Sequence, residues 1–538
     1  MKYGLNFGIL GLVLFLSGGA FAKGLTTEQK VLDFQQLIGQ IKSGYGPLEY
    51  KIKVQHIDID ALQKKYLSRI EASTTDAEFY DLVLRFNAEF HDSHFGLRIP
   101  SKKRASLGFI TDLVAGHVLI SDIDVKTLPA TQFPIQRGDE VLTFNNQPVL
   151  DVIGDLSLRR GMGYAHTALR IGAMSLASRS GTSFSIPTGT ANVAIKSKAD
   201  GSTKIYEMPW VVTGKDFDFG ADFTTMSGSF LDHQGFSYNQ LSIKDLFTDI
   251  LGPQIERSYM CSGTSRIERP AGAVVISEAP VVAYYYPTSK GNIGYLRIPH
   301  YMPLIGTDTT AEDQTFAMYE YLIGQLEKNT VGLIIDQDHN CGGSVSLLHH
   351  ILSLFVDTPV QTTQFRLVAS KENILSTSKE IDDMNPLSLV YLQAQDILAR
   401  LEQSWTAGEF LTSKISFEKG DLVYPNPTRY SKPIVMLIDE LSGSGGDAFP
   451  SLMGGYHRAV LLGTRTMGAG GHVTEGPALN FSQMKINMTR SLFYRPDGVE
   501  VENNGAVPSI PYEITPEDFN QHYVPYREFY TQKLLDLI

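Results

Sequence analysis

The chain has 538 residues, 43% of them hydrophobic and 19% charged, with 48 Gly, 25 Pro and 2 Cys. That length predicts several domains, and the composition excludes a disordered, collagenous or coiled-coil chain; two cysteines also exclude a disulfide-stapled scaffold. The net charge of −12, spread without long runs of one sign, argues against nucleic acid or an anionic membrane surface as the main partner.

Residues 1–22 read as a targeting segment. Lys2 gives a positive start, and Gly8-Ile9-Leu10-Gly11-Leu12-Val13-Leu14-Phe15-Leu16 is an apolar run shorter than the ~20 residues a membrane span needs. Ala20-Phe21-Ala22 presents small residues where a signal peptidase cuts. Cleavage is expected after Ala22, and no later stretch is long enough to cross a bilayer. The expectation is an exported protein, periplasmic or secreted. Such a compartment permits a disulfide, but the wide separation of Cys261 and Cys341 leaves free thiols equally open.

Residues 23–100 predict a helical N-terminal domain. Val31, Phe34, Ile38 and Ile41 recur at helical spacing, as do Phe79, Leu82, Phe86 and Phe90. Thr75-x-x-Glu78 is a capping box that satisfies two backbone N–H groups at a helix start. This second run closes on Phe90-His91-Asp92-Ser93-His94-Phe95-Gly96. Residues 101–213 predict short strands and turns. Within them, Pro134-Ile135-Gln136-Arg137-Gly138-Asp139-Glu140-Val141-Leu142-Thr143-Phe144-Asn145-Asn146-Gln147-Pro148-Val149 resembles the carboxylate-loop half of a PDZ domain, which takes up extended peptides at a strand edge. A plain β-hairpin with an Asn-rich turn fits the same string. Residues 214–290 show no period and read as an insertion or linker.

From 291 to 538 the pattern is α/β. Ile293-Gly294-Tyr295-Leu296-Arg297-Ile298, Val331-Gly332-Leu333-Ile334-Ile335-Asp336 and Pro433-Ile434-Val435-Met436-Leu437-Ile438-Asp439 read as buried strands. Helices follow the last two, one carrying Val345, Leu348, Leu352 and Phe355 on one face and one starting near Asp447. Repeated strand, Gly-rich turn and helix units imply parallel strands, with ligands beyond their carboxyl ends.

The turn Glu440-Leu441-Ser442-Gly443-Ser444-Gly445-Gly446-Asp447 concentrates the chemistry. Between a buried strand and a helix start it exposes a serine, and its glycines allow close approach of a substrate. The Gly445 N–H, at the helix N-terminus, would point at developing negative charge. A plain loop or a phosphate cradle would use similar residues, although no Gly-Lys-Ser/Thr follows. A serine hydroxyl also needs a base within reach.

The string Leu441 to Pro450, followed by Ala459-Val460-Leu461-Leu462-Gly463-Thr464-Arg465-Thr466-Met467-Gly468, resembles the nucleophile segment of the C-terminal-processing (tail-specific) serine peptidases. The resemblance spans nearly the whole mature chain. It implies a multidomain α/β protein: a helical N-terminal domain, a PDZ-like β-rich domain and a peptidase core of the crotonase-like (ClpP-like) type. It also implies Ser444 as the nucleophile. The best-known branch places a lysine base where this chain has Ala469, so a Ser–Lys dyad is excluded at that place. The other branch, typified by the tricorn protease and a chlamydial secreted protease, uses a histidine and a glutamate. Asp92-Ser93-His94-Phe95 and Glu502-Asn503-Asn504-Gly505-Ala506-Val507-Pro508 are similar to its two motifs. The resemblance therefore implies His94 as base, Glu502 as its orienter and Ser93 as a bridge to that glutamate. The oxyanion hole would combine Gly445 N–H with that of Gly342 or Gly343. Asp336-Gln337-Asp338-His339-Asn340-Cys341-Gly342-Gly343 resembles the family's Asp-x-Arg-x-Asn-x-Gly-Gly loop without its arginine.

The expected activity is an exported serine endopeptidase acting on protein or peptide substrates, with no cofactor or metal, no nucleic-acid partner and no integral span. A histidine base of ordinary pKa, near ~6.5, would lose activity as pH falls through ~6–7. His91 is the rival base. His91 and His94 are spaced to chelate a metal, but no third ligand and no His-Glu-x-x-His string accompany them. Cys341, His349-His350 and Met453 read as packing or surface residues, and Asp382-Asp383 as a solvated face. Some relatives carry hydrophobic ligands, so a catalytically silent binding protein on the same fold is the alternative; the presence of Ser444, His94 and Glu502 together favours the enzyme. An esterase is a weaker reading, since Gly443-Ser444-Gly445 matches the usual elbow only in part.

Overall fold

The N-terminal periodicity folds into helices α1 (Thr27–Gly44), α2 (Leu48–Lys53), α3 (Ile59–Ala72) and α4 (Asp76–Ala88) in a computed structural model. It describes residues 24–215, 260–306, 310–382, 384–417 and 420–538; the targeting segment expected over 1–22 and residues 216–259 of the expected linker lie outside these. The capping box at Thr75 and Glu78 forms as the sequence indicates, and Thr26 with Gln29 makes a second one at the start of α1. Phe34, Leu37, Ile38, Ile41, Phe79 and Phe86 bury the inner faces. That core is completed from far along the chain by Leu479, Met484, Ile486 and Met488. The strand Gly96–Arg98 pairs antiparallel with Lys485–Thr489, which pins the loop carrying His94 against the C-terminal region.

The middle region is an antiparallel sheet, β1 (Phe109–Val114), β2 (His117–Ile123), β3 (Glu140–Phe144), β4 (Thr190–Lys196) and β5 (Thr203–Pro209), in that spatial order. Helices α5 (Val149–Ser157) and α6 (Ala165–Met174) accompany it. Asn145 and Asn146 both adopt positive φ, 50° and 64°, as a tight hairpin turn requires.

The third region is a seven-stranded sheet. Its spatial order is β6 (Val274–Ser277), β7 (Ala283–Thr288), β8 (Gly291–Arg297), β9 (Gly332–Asp336), β10 (Ile434–Ile438), β11 (Val460–Gly463) and β12 (Ile510–Pro511). Strands β8 to β12 run parallel, and β6 and β7 add antiparallel from residues that composition placed in a linker. Alternation along the central strands serves two faces. Leu333, Ile335, Ile434, Met436 and Ile438 pack with α7 (Ala311–Asn329) and α8 (Val345–Ser353) through Leu322, Leu326, Leu348 and Leu352. Ile334, Val435 and Leu437 pack on the other face with Tyr526, Tyr530 and Leu534 of α10 (Val524–Leu537), α9 (Gly445–Gly455) being the helix after β10. Among the described residues no helix is long and apolar enough to cross a membrane.

Candidate active site

Strand β10 ends at Ile438, and the chain turns through Asp439–Ser444 into α9. Ser444 caps that helix with φ 60° and ψ −115°, a backbone state that costs a non-glycine residue on the order of 1–3 kcal/mol. The strain is held from below by Asp447, which is fully buried. Its carboxylate accepts from Ser444 N at 2.8 Å, Gly468 N at 2.8 Å and Ala469 N at 2.9 Å, and from the Thr466 hydroxyl. Burial pushes Asp447 up to about 6 against the pull of these donors. Nothing in the Gly/Ser pattern points to this clamp; the Ser-x-x-Asp spacing of a capped helix start is the signal that could have found it.

The loop after β9 supplies the opposite wall. A methyl group on Gly342 would stand 2.7 Å from Ser444 Cβ and 2.8 Å from Gly445 N, and one on Gly343 only 2.4 Å from the Tyr301 carbonyl carbon. With φ of 73° and 140°, both positions require glycine. The Gly342 N–H donates to Asn340 Oδ1 at 2.8 Å. Among the described residues no hydrogen bond engages the N–H of Gly343 or Gly445. Arginines from elsewhere in the chain reach this loop and the nucleophile turn. Arg297 bonds Asp336 Oδ1 at 2.9 Å, and Arg266 lies 3.0 Å from His339 Nδ1. Arg170, from α6, bonds Glu440 Oε1 at 2.8 Å and both Asp112 oxygens at 2.7 and 2.9 Å. The middle domain is thereby tied to the nucleophile turn. Its edge strand β1 is buried throughout, and Ile110, Ile171 and Met174 pack with Met260, Cys341 and Leu441. The two cysteines pair: Cys261–Cys341, with Cα atoms 5.4 Å apart, staples this loop to the segment around Cys261.

Glu502 bonds the segment 466–472 at Gly470, and His94 lies within electrostatic reach of His472. Asp92 organises the histidine loop: Oδ1 accepts from His94 N at 2.7 Å and Phe95 N at 3.2 Å, and Oδ2 from the Tyr45 and Thr489 hydroxyls at 2.8 Å each. The imidazole is 7% exposed and its Nδ1 has no hydrogen-bond partner among the described residues. Burial pushes it down to about 4, with Asp92 pulling the other way; the ordinary value expected from sequence does not apply in this state. Ser93 Oγ accepts from Gly163 N at 3.1 Å. Glu502 is fully buried, its Oε2 accepting from Gly470 N at 3.0 Å and its Oε1 lying 2.5 Å from Lys51 Nζ. Burial and nearby Asp92 push Glu502 up to about 8, against the pull of Lys51.

The structure thus brings Ser444, Gly445 and Gly342 together, with Gly343 next along the loop, bonds Glu502 to Gly470 and sets His94 within electrostatic reach of His472. No hydrogen bond joins Ser444 to His94, or His94 or Ser93 to Glu502, among the described residues. Lys51 escaped the sequence reading because a lone lysine in Leu48-Glu49-Tyr50-Lys51-Ile52-Lys53 carries no pattern. No group of three or more potential metal ligands occurs among the described residues.

Residues 292–512 match peptidase family S41, and residues 103–214 match a PDZ domain. A protein of Chlamydia pneumoniae is 26% identical over 578 residues, covering 95% of this chain and 90% of that protein. The crystal structure of mature CPAF has a TM-score of 0.75 at 22% identity, covering 94% of this chain and 95% of that one. Mature CPAF complexed with lactacystin gives a TM-score of 0.76 at 22% identity, covering 95% and 98%. At that identity the likeness establishes the shared fold.

Proposed function

We propose, for a chain that belongs to peptidase family S41 and carries a PDZ domain, that it is an exported serine endopeptidase with Ser444 as nucleophile, His94 as general base and Glu502 as orienter. The observation that carries this reading is the turn itself: a serine in a strained conformation at a helix N-terminus, clamped by Asp447 and faced by Gly342, where even a methyl group would stand 2.7 Å from Ser444 Cβ. Ser444 Oγ attacks the scissile carbonyl carbon while its proton passes to His94. The oxyanion is met by the N–H groups of Gly445 and Gly343, because the Gly342 N–H is already spent on Asn340. Collapse of the tetrahedral intermediate breaks the C–N bond as His94 returns the proton to the leaving amine; water then hydrolyses the acyl-enzyme by the same relay. Glu502 steadies the imidazolium. The histidine reaches the serine when substrate closes the site, since catalytic hydrogen bonds tighten in the bound complex.

The PDZ domain recruits extended or C-terminal peptide segments in this reading, and Arg170 makes it a neighbour of the nucleophile turn. The export reading rests on residues 1–22. Casein digestion by protein beginning at residue 23, as purified and after limited proteolysis, tests the activity beside Ser444→Ala. Cleavage by wild type alone, and its loss on treatment with lactacystin, is the expected result. Equal behaviour of the two proteins would sink the reading and turn attention to a binding protein.

A further inference from the structure

Lys51 is fully buried on the short helix α2. Its ammonium group has three acceptors within reach: Glu502 Oε1 at 2.5 Å, Asn503 Oδ1 at 2.5 Å and the His91 carbonyl at 3.0 Å. Three donors meet three acceptors, so the group is saturated. Those acceptors belong to the two segments that must be registered for catalysis, the loop of His94 and the turn of Glu502. Asn503 repeats the link from the other side, its Nδ2 donating to the His91 carbonyl at 2.7 Å.

We infer that Lys51 is a positioning residue of the active site, locking Glu502 to the histidine loop and balancing its charge. The inference rests on the Ser444, His94 and Glu502 reading given above. Electrostatics gives it a direction. Asp92 and Glu502 are both fully buried, and burial and Asp92 push Glu502 up to about 8 against the pull of Lys51. Without Lys51 that pull is lost, and the ionised form of Glu502 becomes scarcer. A protonated Glu502 steadies the imidazolium less, so turnover falls while substrate binding does not.

The test uses the full chain with wild type, Ser444→Ala, Lys51→Met, Glu502→Gln and the Lys51→Met/Glu502→Gln double variant, each assayed for kcat and KM on a casein peptide after its melt confirms folding. Lys51→Met should lower kcat about 10²-fold with KM little changed. The double variant should be no slower than Glu502→Gln alone, because Lys51 acts through that carboxylate. Wild-type kcat in Lys51→Met, or a double variant far below Glu502→Gln, overturns the role of Lys51 alone. If Lys51→Met does not fold, the comparison of the double variant with Glu502→Gln decides. Equal rates for wild type and Ser444→Ala overturn the underlying reading instead.

Discussion

The two sides of this site are built in different ways. The nucleophile side is local: Ser444, its helix, its clamp Asp447 and the facing Gly342 all hang on the ends of adjacent parallel strands, β9 and β10. The base side is assembled from residues remote in sequence, with Asp92 bonded to Thr489, Lys51 to Glu502, and Glu502 to Gly470. A local turn inherits its precision from the sheet. An assembled corner depends on buried polar contacts, each costly to leave unmade, and among the described residues no hydrogen bond joins it to Ser444.

That contrast predicts unequal responses to mutation. His94→Ala should lower kcat/KM by about 10³–10⁴-fold while costing little stability through hydrogen bonding, since its Nδ1 has no partner among the described residues. His91→Ala should cost far less, because the contacts of His91 with Lys51 and Asn503 run through its backbone carbonyl. The reverse ranking in steady-state kinetics would reassign the base. The same buried state moves the acid limb of kcat/KM set by the base: His94 held near 4 stays neutral well below ~6.5, so in a Glu502→Gln background, which removes the carboxylate pushed up to about 8, the residual activity should persist to about pH 5. A limb at ~6–7 would show that free His94 is solvated.

Asp447→Asn should strike both activity and stability, which distinguishes the local side. The amide turns one acceptor into a donor, against the N–H groups of Ser444 and Ala469 in one orientation or that of Gly468 in the other. A loss of about 3 kcal/mol in urea unfolding is expected, together with about 10²-fold in kcat. Intact stability would mean the turn is held by the glycines alone. Replacing both Cys261 and Cys341 by Ala should cost ~2–4 kcal/mol in the same assay; an unchanged midpoint would show that the staple does not constrain the chain.

The difference between the sides also explains what the sequence could tell. The parallel strands, the turn at Ser444 and the capping box at Thr75 follow from patterns within a dozen residues, and each appears in the structure. Pairing of Cys261 with Cys341 stayed open because spacing does not report distance across a fold. Strands β6 and β7 were hidden because an edge hairpin alternates weakly, Val274 and Val275 being exposed. Lys51 was invisible for a stronger reason: its role is set by Glu502 and Asn503 at the far end of the chain. The depressed pKa of His94 likewise follows from burial, which residue identity does not encode.

The smallest effect concerns stability alone. His94 is neutral in the folded protein, with a pKa pushed down to about 4, below the ordinary ~6.5 of the unfolded chain. Its contribution is complete above ~6.5 and is lost as pH falls toward 4, because over that range the unfolded chain binds a proton that the folded one refuses. The slope is at most about 1.4 kcal/mol per pH unit. Urea melts between pH 7 and pH 5 in a Ser444→Ala background, which prevents self-digestion, should therefore be steeper in pH with His94 than with His94→Asn by up to that amount. His472, also held near 4 chiefly by burial, remains in both proteins and cancels except for the small part of its shift that His94 causes. Equal pH dependence would mean that His94 is already hydrated or paired in the free protein, and the assembled side would then be as complete before substrate arrives as the nucleophile side is.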